Sequence, residues 1–243
     1  MKFTKIAVTD FSLEYTYASG QTLNFVGSLE RKGKAYLLEF STTRSFYTVK
    51  YENGNVLYWS AVGRSGKKEQ EKELLESLGL NGDIQEVYRN IEKNALMEKA
   101  IKEFYGMRLV KFDPWETSVC FIISQFNNIK RIKGIVSRLI DKFGESYKGA
   151  KFFPSPLALS KAGIEGLASC GLGFRAKYLF EFSKSVNSGA LDFSSVCAGD
   201  YARAKSELLK FKGIGLHSPF RLRQGRSLSC RRLDKQDNEA IHE

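Results

Sequence analysis

The sequence predicts an α+β protein, with a small antiparallel sheet at the N-terminus and an all-helical region after it. Three observations carry this. Residues 1 to about 62 hold short runs of aromatic and β-branched residues separated by turn formers, and residues 63 to about 110 switch to charge-rich helical patterns. From Asp113 onward, apolar residues recur at three- and four-residue steps. The 243 residues suffice for one large or two small domains with a real core.

In the first region, Tyr36-Leu37-Leu38-Glu39-Phe40 and Phe46-Tyr47-Thr48-Val49-Lys50-Tyr51 suit a pleated, half-buried surface. Asn53-Gly54 lies between the second run and Val56-Leu57-Tyr58-Trp59, which predicts a two-residue hairpin. Ser19-Gly20-Gln21 reads as a turn between two strands, because glycine permits positive φ. Arg64-Ser65-Gly66-Lys67-Lys68 reads as a loop, and residues 69–78, 84–90 and 91–104 read as the helices of a bridge.

Asp113 is a good N-cap, Pro114 fits the first helical position, and Glu116 completes a capping-box spacing. The run Val119-Cys120-Phe121-Ile122-Ile123 predicts a helix apolar on all sides, which belongs inside a domain. It stops at the polar corner Gln125-Phe126-Asn127-Asn128. A second helix starts at Asn128, with Ile129, Ile132, Val136, Leu139, Ile140 and Phe143 as its buried stripe and Lys130, Arg131, Lys133 and Arg138 away from it. Gly144 is a natural residue just past its end. Pro154-Ser155-Pro156 is a stop followed by an N-cap and a helix-starting proline. Residues 157–168 predict a short helix weakened by Gly163 and Gly166. Gly171-Leu172-Gly173-Phe174-Arg175-Ala176-Lys177-Tyr178 opens a helix to about Asn187, stopped by Gly189. Tyr201 to Phe211 is the last predicted helix, followed by Lys212-Gly213-Ile214-Gly215.

The net charge of +11 points to a polyanionic partner, nucleic acid before membrane. No apolar run is long enough to span a bilayer, and the N-terminus lacks a signal-peptide core, so an intracellular, soluble protein is expected. Cys120, Cys170, Cys197 and Cys230 are far apart, and only His217 and His242 accompany them. Neither a zinc site nor a disulfide framework is expected, and no cofactor.

Asp113-Pro114-Trp115-Glu116, then Gln125-Phe126-Asn127-Asn128-Ile129 and Arg131-Ile132, resemble the 8-oxoguanine DNA glycosylase family of the helix-hairpin-helix superfamily of base-excision repair enzymes. The resemblance runs from roughly Ser19 to Gly215. It implies an N-terminal β domain with helical bridge over 1–112 and a helix-hairpin-helix domain over 113–215. It also implies a monomeric protein, placed in the cytoplasm and nucleoid or in a nucleus, whose partner is duplex DNA carrying 8-oxoguanine opposite cytosine. Ser19-Gly20-Gln21 is similar to the segment whose glycine carbonyl approaches the damaged base. 8-Oxoguanine has an N7–H donor where guanine has an acceptor, so one fixed carbonyl distinguishes them, and a side chain at Gly20 would block the approach. A base must leave the stack before it can be attacked. Phe174 resembles the wedge inserted into the stack beside the opposite-strand base, and Asn127 and Asn128 stand where the family fills the gap left by the flipped base. Arg175 and Arg131 resemble the arginines that read the orphaned cytosine, whose acceptors guanidinium donors can satisfy. Lys212, Gly213 and Gly215 resemble the hairpin whose backbone N–H groups approach a DNA phosphate. Two positions depart from the pattern: Phe126 replaces a third asparagine, and Lys212 a common proline.

The pattern breaks after Gly215. The family's nucleophilic lysine, which attacks the sugar C1′ and forms the Schiff base for strand cleavage, follows the second glycine by two residues. Here that position is His217, and the family's proline-valine-aspartate segment is absent. Residues 216–243 show no apolar period and read as a disordered basic tail, so the helix-hairpin-helix domain is expected to be incomplete. A one-nucleotide shift from Leu216 onward permits a helical apolar period and a phenylalanine-proline-valine-aspartate segment, which favours a reading-frame change. A domain ending there is expected to leave the faces of residues 119–123 and 129–143 partly uncovered. The expected activity is 8-oxoguanine N-glycosylase with AP-lyase ancestry, with no catalytic residue retained. The alternatives are a non-catalytic binder of damaged or undamaged duplex, and an alkylated-base glycosylase, which needs no lysine but still needs the aspartate.

Overall fold

The structure is a computed structural model that describes residues 2–21, 29–52, 54–198 and 201–214. Its sheet is built from β1 (Thr4–Ala7), β2 (Glu30–Lys32), β3 (Ala35–Ser41), β4 (Ser45–Glu52) and β5 (Val56–Gly63), all antiparallel, in the order β1-β5-β4-β3-β2. Alternation puts Leu38 and Phe40 of β3, Tyr47, Val49 and Tyr51 of β4, and Leu57 and Trp59 of β5 into one core. Burying each of these side chains stabilises by about 1.5–3 kcal/mol. The Tyr47 hydroxyl donates to the Glu73 carboxylate at 2.6 Å, so its polar end is satisfied inside.

The first 62 residues are not wholly β. Helix α1 (Leu13–Ala18) interrupts them, capped by the Ser12 hydroxyl, which accepts the Tyr15 N–H at 3.2 Å. Its buried residues, Leu13 and Thr16, are three apart, a helical spacing hidden inside what looks like aromatic alternation. Ser19-Gly20-Gln21 therefore follows a helix rather than a strand. The β4–β5 connection also differs from the two-residue expectation. Glu52 pairs with Val56, so three residues intervene, with Gly54 at φ 75°; Asn53 lies outside the described residues.

The bridge holds α2 (Lys67–Ser77), α3 (Ile84–Ile91) and α4 (Ala95–Glu103). The last two separate later than the charge pattern suggests, because Asn94 caps α4 by accepting the Met97 N–H at 3.0 Å. Gly79 must be glycine: φ is 68°, and an added Cβ would lie 2.1 Å from the Leu109 carbonyl oxygen. Arg108 stitches the bridge to the N-terminal segment, donating to the carbonyls of Thr9 (2.9 Å), Asp10 (3.0 Å) and Gly82 (3.0 Å).

The second half contains α5 (Pro114–Ser124), α6 (Ile129–Phe143), the short β6–β7 pair (Ser146–Tyr147, Ala150–Lys151), α7 (Pro156–Leu167), α8 (Arg175–Asn187), α9 (Phe193–Ala198) and α10 (Tyr201–Leu209). Asp113 caps α5 by accepting the Trp115 N–H at 2.9 Å. The Trp115 indole donates to the Pro154 carbonyl at 2.9 Å and stacks on Phe182 with centroids 5.9 Å apart. Glu116 does not close a capping box. Its carboxyl is fully buried and accepts the Thr43 N–H at 2.7 Å, across to the β3–β4 turn. Desolvation and then the Asp113 charge push its pKa well above the usual carboxylate range. Two more bonds close the same seam: Phe153 N–H to Thr42 O and the Ser41 hydroxyl to Lys151 O, both 2.8 Å.

Three expectations are corrected here. The α6 stripe is Ile132, Ile135, Val136, Leu139 and Ile140; Ile129 is 56% exposed and Phe143 only partly buried. Gly144 has φ −68°, so it is not a left-handed stop; it is needed because an added Cβ would lie 2.3 Å from the Phe152 carbonyl oxygen. The faces of α5 and α6 are covered. Val119, Ile122, Ile123, Val136 and Leu139 are fully buried in one core with Leu159 and Leu167 of α7, Leu179 and Phe182 of α8, and Leu208 of α10. No helix among the described residues is long and apolar enough to cross a membrane.

Candidate nucleic-acid interface

The corner between α5 and α6 is held by its own polar residues. Asn127 Nδ2 donates to the Ile123 carbonyl at 3.1 Å and so satisfies a carbonyl at the end of α5. Asn128 Oδ1 accepts the Arg131 N–H at 2.9 Å and caps α6. Between them Phe126 sits at φ 44° with 92% of its surface exposed. The side-chain amide nitrogen of Gln125 is buried without a hydrogen-bond partner among the described residues.

The turn before α8 comes to the same edge. Gly171 has φ 88° and Gly173 has φ 58°, conformations that favour glycine. Arg138 Nε donates to the Cys170 carbonyl at 2.8 Å, and Arg131 Nη2 reaches the Gly171 carbonyl at 3.5 Å, so α6 braces this turn. Phe174 is 56% exposed. Arg175, next to it, is buried. Its Nε donates to Gln125 O at 2.7 Å, and its Nη2 donates to Gln125 O and, at 3.0 Å, to Phe126 O. Its guanidinium lies 4.4 Å from the Phe174 ring centroid. Burial first, then the nearby Arg131 charge, draws its pKa down, although a guanidinium stays charged.

Gly20 (φ 67°) approaches from the sheet half. Gln21 fixes it: Nε2 donates to Ser19 Oγ (2.9 Å) and Arg108 O (2.7 Å), while Oε1 accepts the Val110 N–H (3.2 Å). A Cβ added at Gly20 would lie 3.8 Å from Ile129 Cδ1, so Gly20 adjoins the start of α6. One turn further on, Lys133 lies over Tyr17, its Nζ 4.0 Å from the ring centroid. The last turn also converges. Gly213 has φ 106°, and an added Cβ would lie 3.0 Å from Tyr178 Cβ, whose ring meets Phe174 edge-on at 6.0 Å. Lys212 beside it is exposed. Gly215 and His217 lie outside the described residues.

The structure thus brings Gly20, Asn127, Asn128, Arg131, Phe174, Arg175, Lys212 and Gly213 onto connected elements around the 125–128 corner. Arg138 and Gln21 brace two of its segments. Sequence reading missed both roles, because each works through a carbonyl far along the chain; the spacing of Gln21 after Gly20 was the only local signal. Among the described residues no group of three or more His, Cys, Asp or Glu could hold a metal ion.

An antiparallel sheet joined to a helical half, with a polar corner and a glycine-flanked aromatic–arginine pair at one edge, is an arrangement similar to that of solved DNA glycosylases. Residues 4–117 match the family model of the 8-oxoguanine DNA glycosylase N-terminal domain. The N-glycosylase/DNA lyase of Saccharomyces cerevisiae is 24% identical over 236 residues, covering 88% of this chain and 63% of its own length. The solved structure of MBOgg1 in complex with a low-affinity DNA ligand superposes with a TM-score of 0.75 at 26% identity, covering 88% of this chain and 76% of that one. The apo Clostridium acetobutylicum 8-oxoguanine glycosylase/lyase shares the fold, with a TM-score of 0.73 at 24% identity over 88% of this chain and 77% of that one. Just under half of the chain is thus similar to the N-terminal domain of 8-oxoguanine DNA glycosylases, and its fold is similar to that of solved members of that family. The chain spans less than two-thirds of the yeast relative.

Proposed function

We propose that this chain acts in base-excision repair, engaging duplex DNA that carries 8-oxoguanine opposite cytosine with the lesion turned out of the stack. The observation that carries the reading is the convergence of Gly20, the 125–128 corner and the Phe174-Arg175 turn on connected elements of one edge, beside the basic start of α6. In this reading residues 1–112 present the Gly20 carbonyl to the damaged base and residues 113–215 hold the duplex open. Phe174 is the wedge, Asn127 and Asn128 line the gap, and Arg131 faces the orphaned cytosine; Arg175, proposed from sequence for the same role, is instead buried against the Gln125 and Phe126 carbonyls and sets the corner from behind. Lys212, Gly213 and Gly215 approach a phosphate. The chain works as a monomer within the compartment that holds the DNA.

The reaction of the family is glycosylase and lyase chemistry, and His217 favours a second reading, a non-catalytic binder, because an imidazole cannot form a Schiff base with C1′. Fluorescence anisotropy with a labelled duplex tests recognition: binding should weaken steeply with salt and be tighter for 8-oxoguanine than for guanine. Salt-independent binding, or none, overturns the proposal. Borohydride reduction of the same complex separates the two readings. No trapped band is expected from this chain; a trapped band would restore lyase chemistry and move attention to Lys212.

A further inference from the structure

We infer that Phe126 is a second wedge, which enters the DNA stack together with Phe174 so that two phenyl rings support the unpaired site. The inference rests on the duplex-binding reading above. A bulky residue with positive φ is uncommon and needs a reason. At Phe126 the backbone is held at φ 44° while the ring is 92% exposed, so burial of the ring cannot be that reason. The conformation is instead enforced from behind: Arg175 grips the carbonyls of Gln125 and Phe126, and Asn127 and Asn128 fix the two helix ends that flank the corner. The result is an apolar ring projecting from a rigid, polar, cation-backed corner.

The same arginine joins the two rings. Its guanidinium donates to the Phe126 carbonyl at 3.0 Å and lies 4.4 Å from the Phe174 ring centroid. Phe126 and Phe174 are therefore set by one buried side chain. Apolar wedges inserted at base steps unstack them and kink the duplex, and aromatic faces stack on any base. Arg175 serves here as a positioning residue for both rings.

The test uses the full chain and a duplex with 2-aminopurine on the complementary strand beside the lesion, whose emission rises when stacking is lost. At saturating wild-type protein the emission should rise severalfold. Phe126→Ala and Phe174→Ala should each remove at least half of the rise, the double variant nearly all of it, and Phe126→Tyr should keep it. The salt dependence of binding should be the same in Phe126→Ala and wild type, because no phosphate contact is removed. Wild-type emission in Phe126→Ala with salt-dependent binding intact overturns the second wedge and leaves the DNA reading standing. A wild-type chain that binds no duplex overturns both. Since the ring is exposed, Phe126→Ala should melt with wild type; a lowered melting point with retained emission would make Phe126 a structural residue and also overturn the inference.

Discussion

At the scale of single residues, burial decides which polar groups matter. Glu116 is a carboxyl in the seam between sheet and helices, with a pKa well above its unfolded value because of desolvation and then the Asp113 charge. The folded state therefore holds its proton where the unfolded chain has released it. Stability contributed by this site is intact below the unfolded carboxylate pKa and falls as pH rises toward the folded one. Glu116→Gln keeps an acceptor for the Thr43 N–H and cannot ionise. Its denaturant midpoint should fall less than that of wild type between mildly acidic and neutral pH; parallel curves would refute this. Gln125 is the opposite case, a buried donor without a partner among the described residues. Gln125→Leu should change stability by less than about 1 kcal/mol or raise it, since an unmet donor is removed. Urea melts read the difference, and a loss of several kcal/mol would show that the amide has a partner.

At the scale of elements, the glycine turns set where the helices point. Gly213 combines φ 106° with a 3.0 Å approach of a would-be Cβ to Tyr178. Gly213→Ala should destabilise by about 1–3 kcal/mol through a strained backbone. It should also weaken duplex binding more than it alters the α5–α6 core, read by anisotropy beside near-UV circular dichroism; unchanged binding would separate this turn from the DNA face. The elements also show how much could be read beforehand. Helix α5, its Asp113 cap, the 125–128 corner and the start of α8 follow from local rules, because capping and period are local. Helix α1 was hidden, since aromatic alternation and a short capped helix share the same residues. Glu116 matched the capping-box spacing, yet its carboxyl turns to Thr43, 73 residues away in sequence; tertiary partners of that kind leave no local mark. Likewise Arg175 could be placed beside Phe174, but not its grip on the preceding helix corner.

At the scale of the whole molecule, the β3–β4 turn forms a seam between two cores. Trp59 is buried in the sheet core and Trp115 in the helical core. Three hydrogen bonds from Ser41, Thr42 and Thr43 tie the β3–β4 turn to Lys151, Phe153 and Glu116. Buried bonds of this kind contribute about 0.5–1.5 kcal/mol each, which is enough to couple two halves of modest stability. The single-tryptophan variants Trp59→Phe and Trp115→Phe should therefore report one common unfolding midpoint by fluorescence. Midpoints that differ would show two independently melting halves.

The seam has a consequence for how such a chain diversifies. Gly20 and Phe174 belong to different halves, and the 41–45 turn is one of the fixtures that set the distance between them. A substitution in that turn alters how one half is set against the other without touching any residue of the proposed DNA face. If the proposed function holds, lesion preference in descendants of this chain drifts through Ser41, Thr42 or Thr43 as well, positions that a comparison of the proposed DNA face alone would pass over.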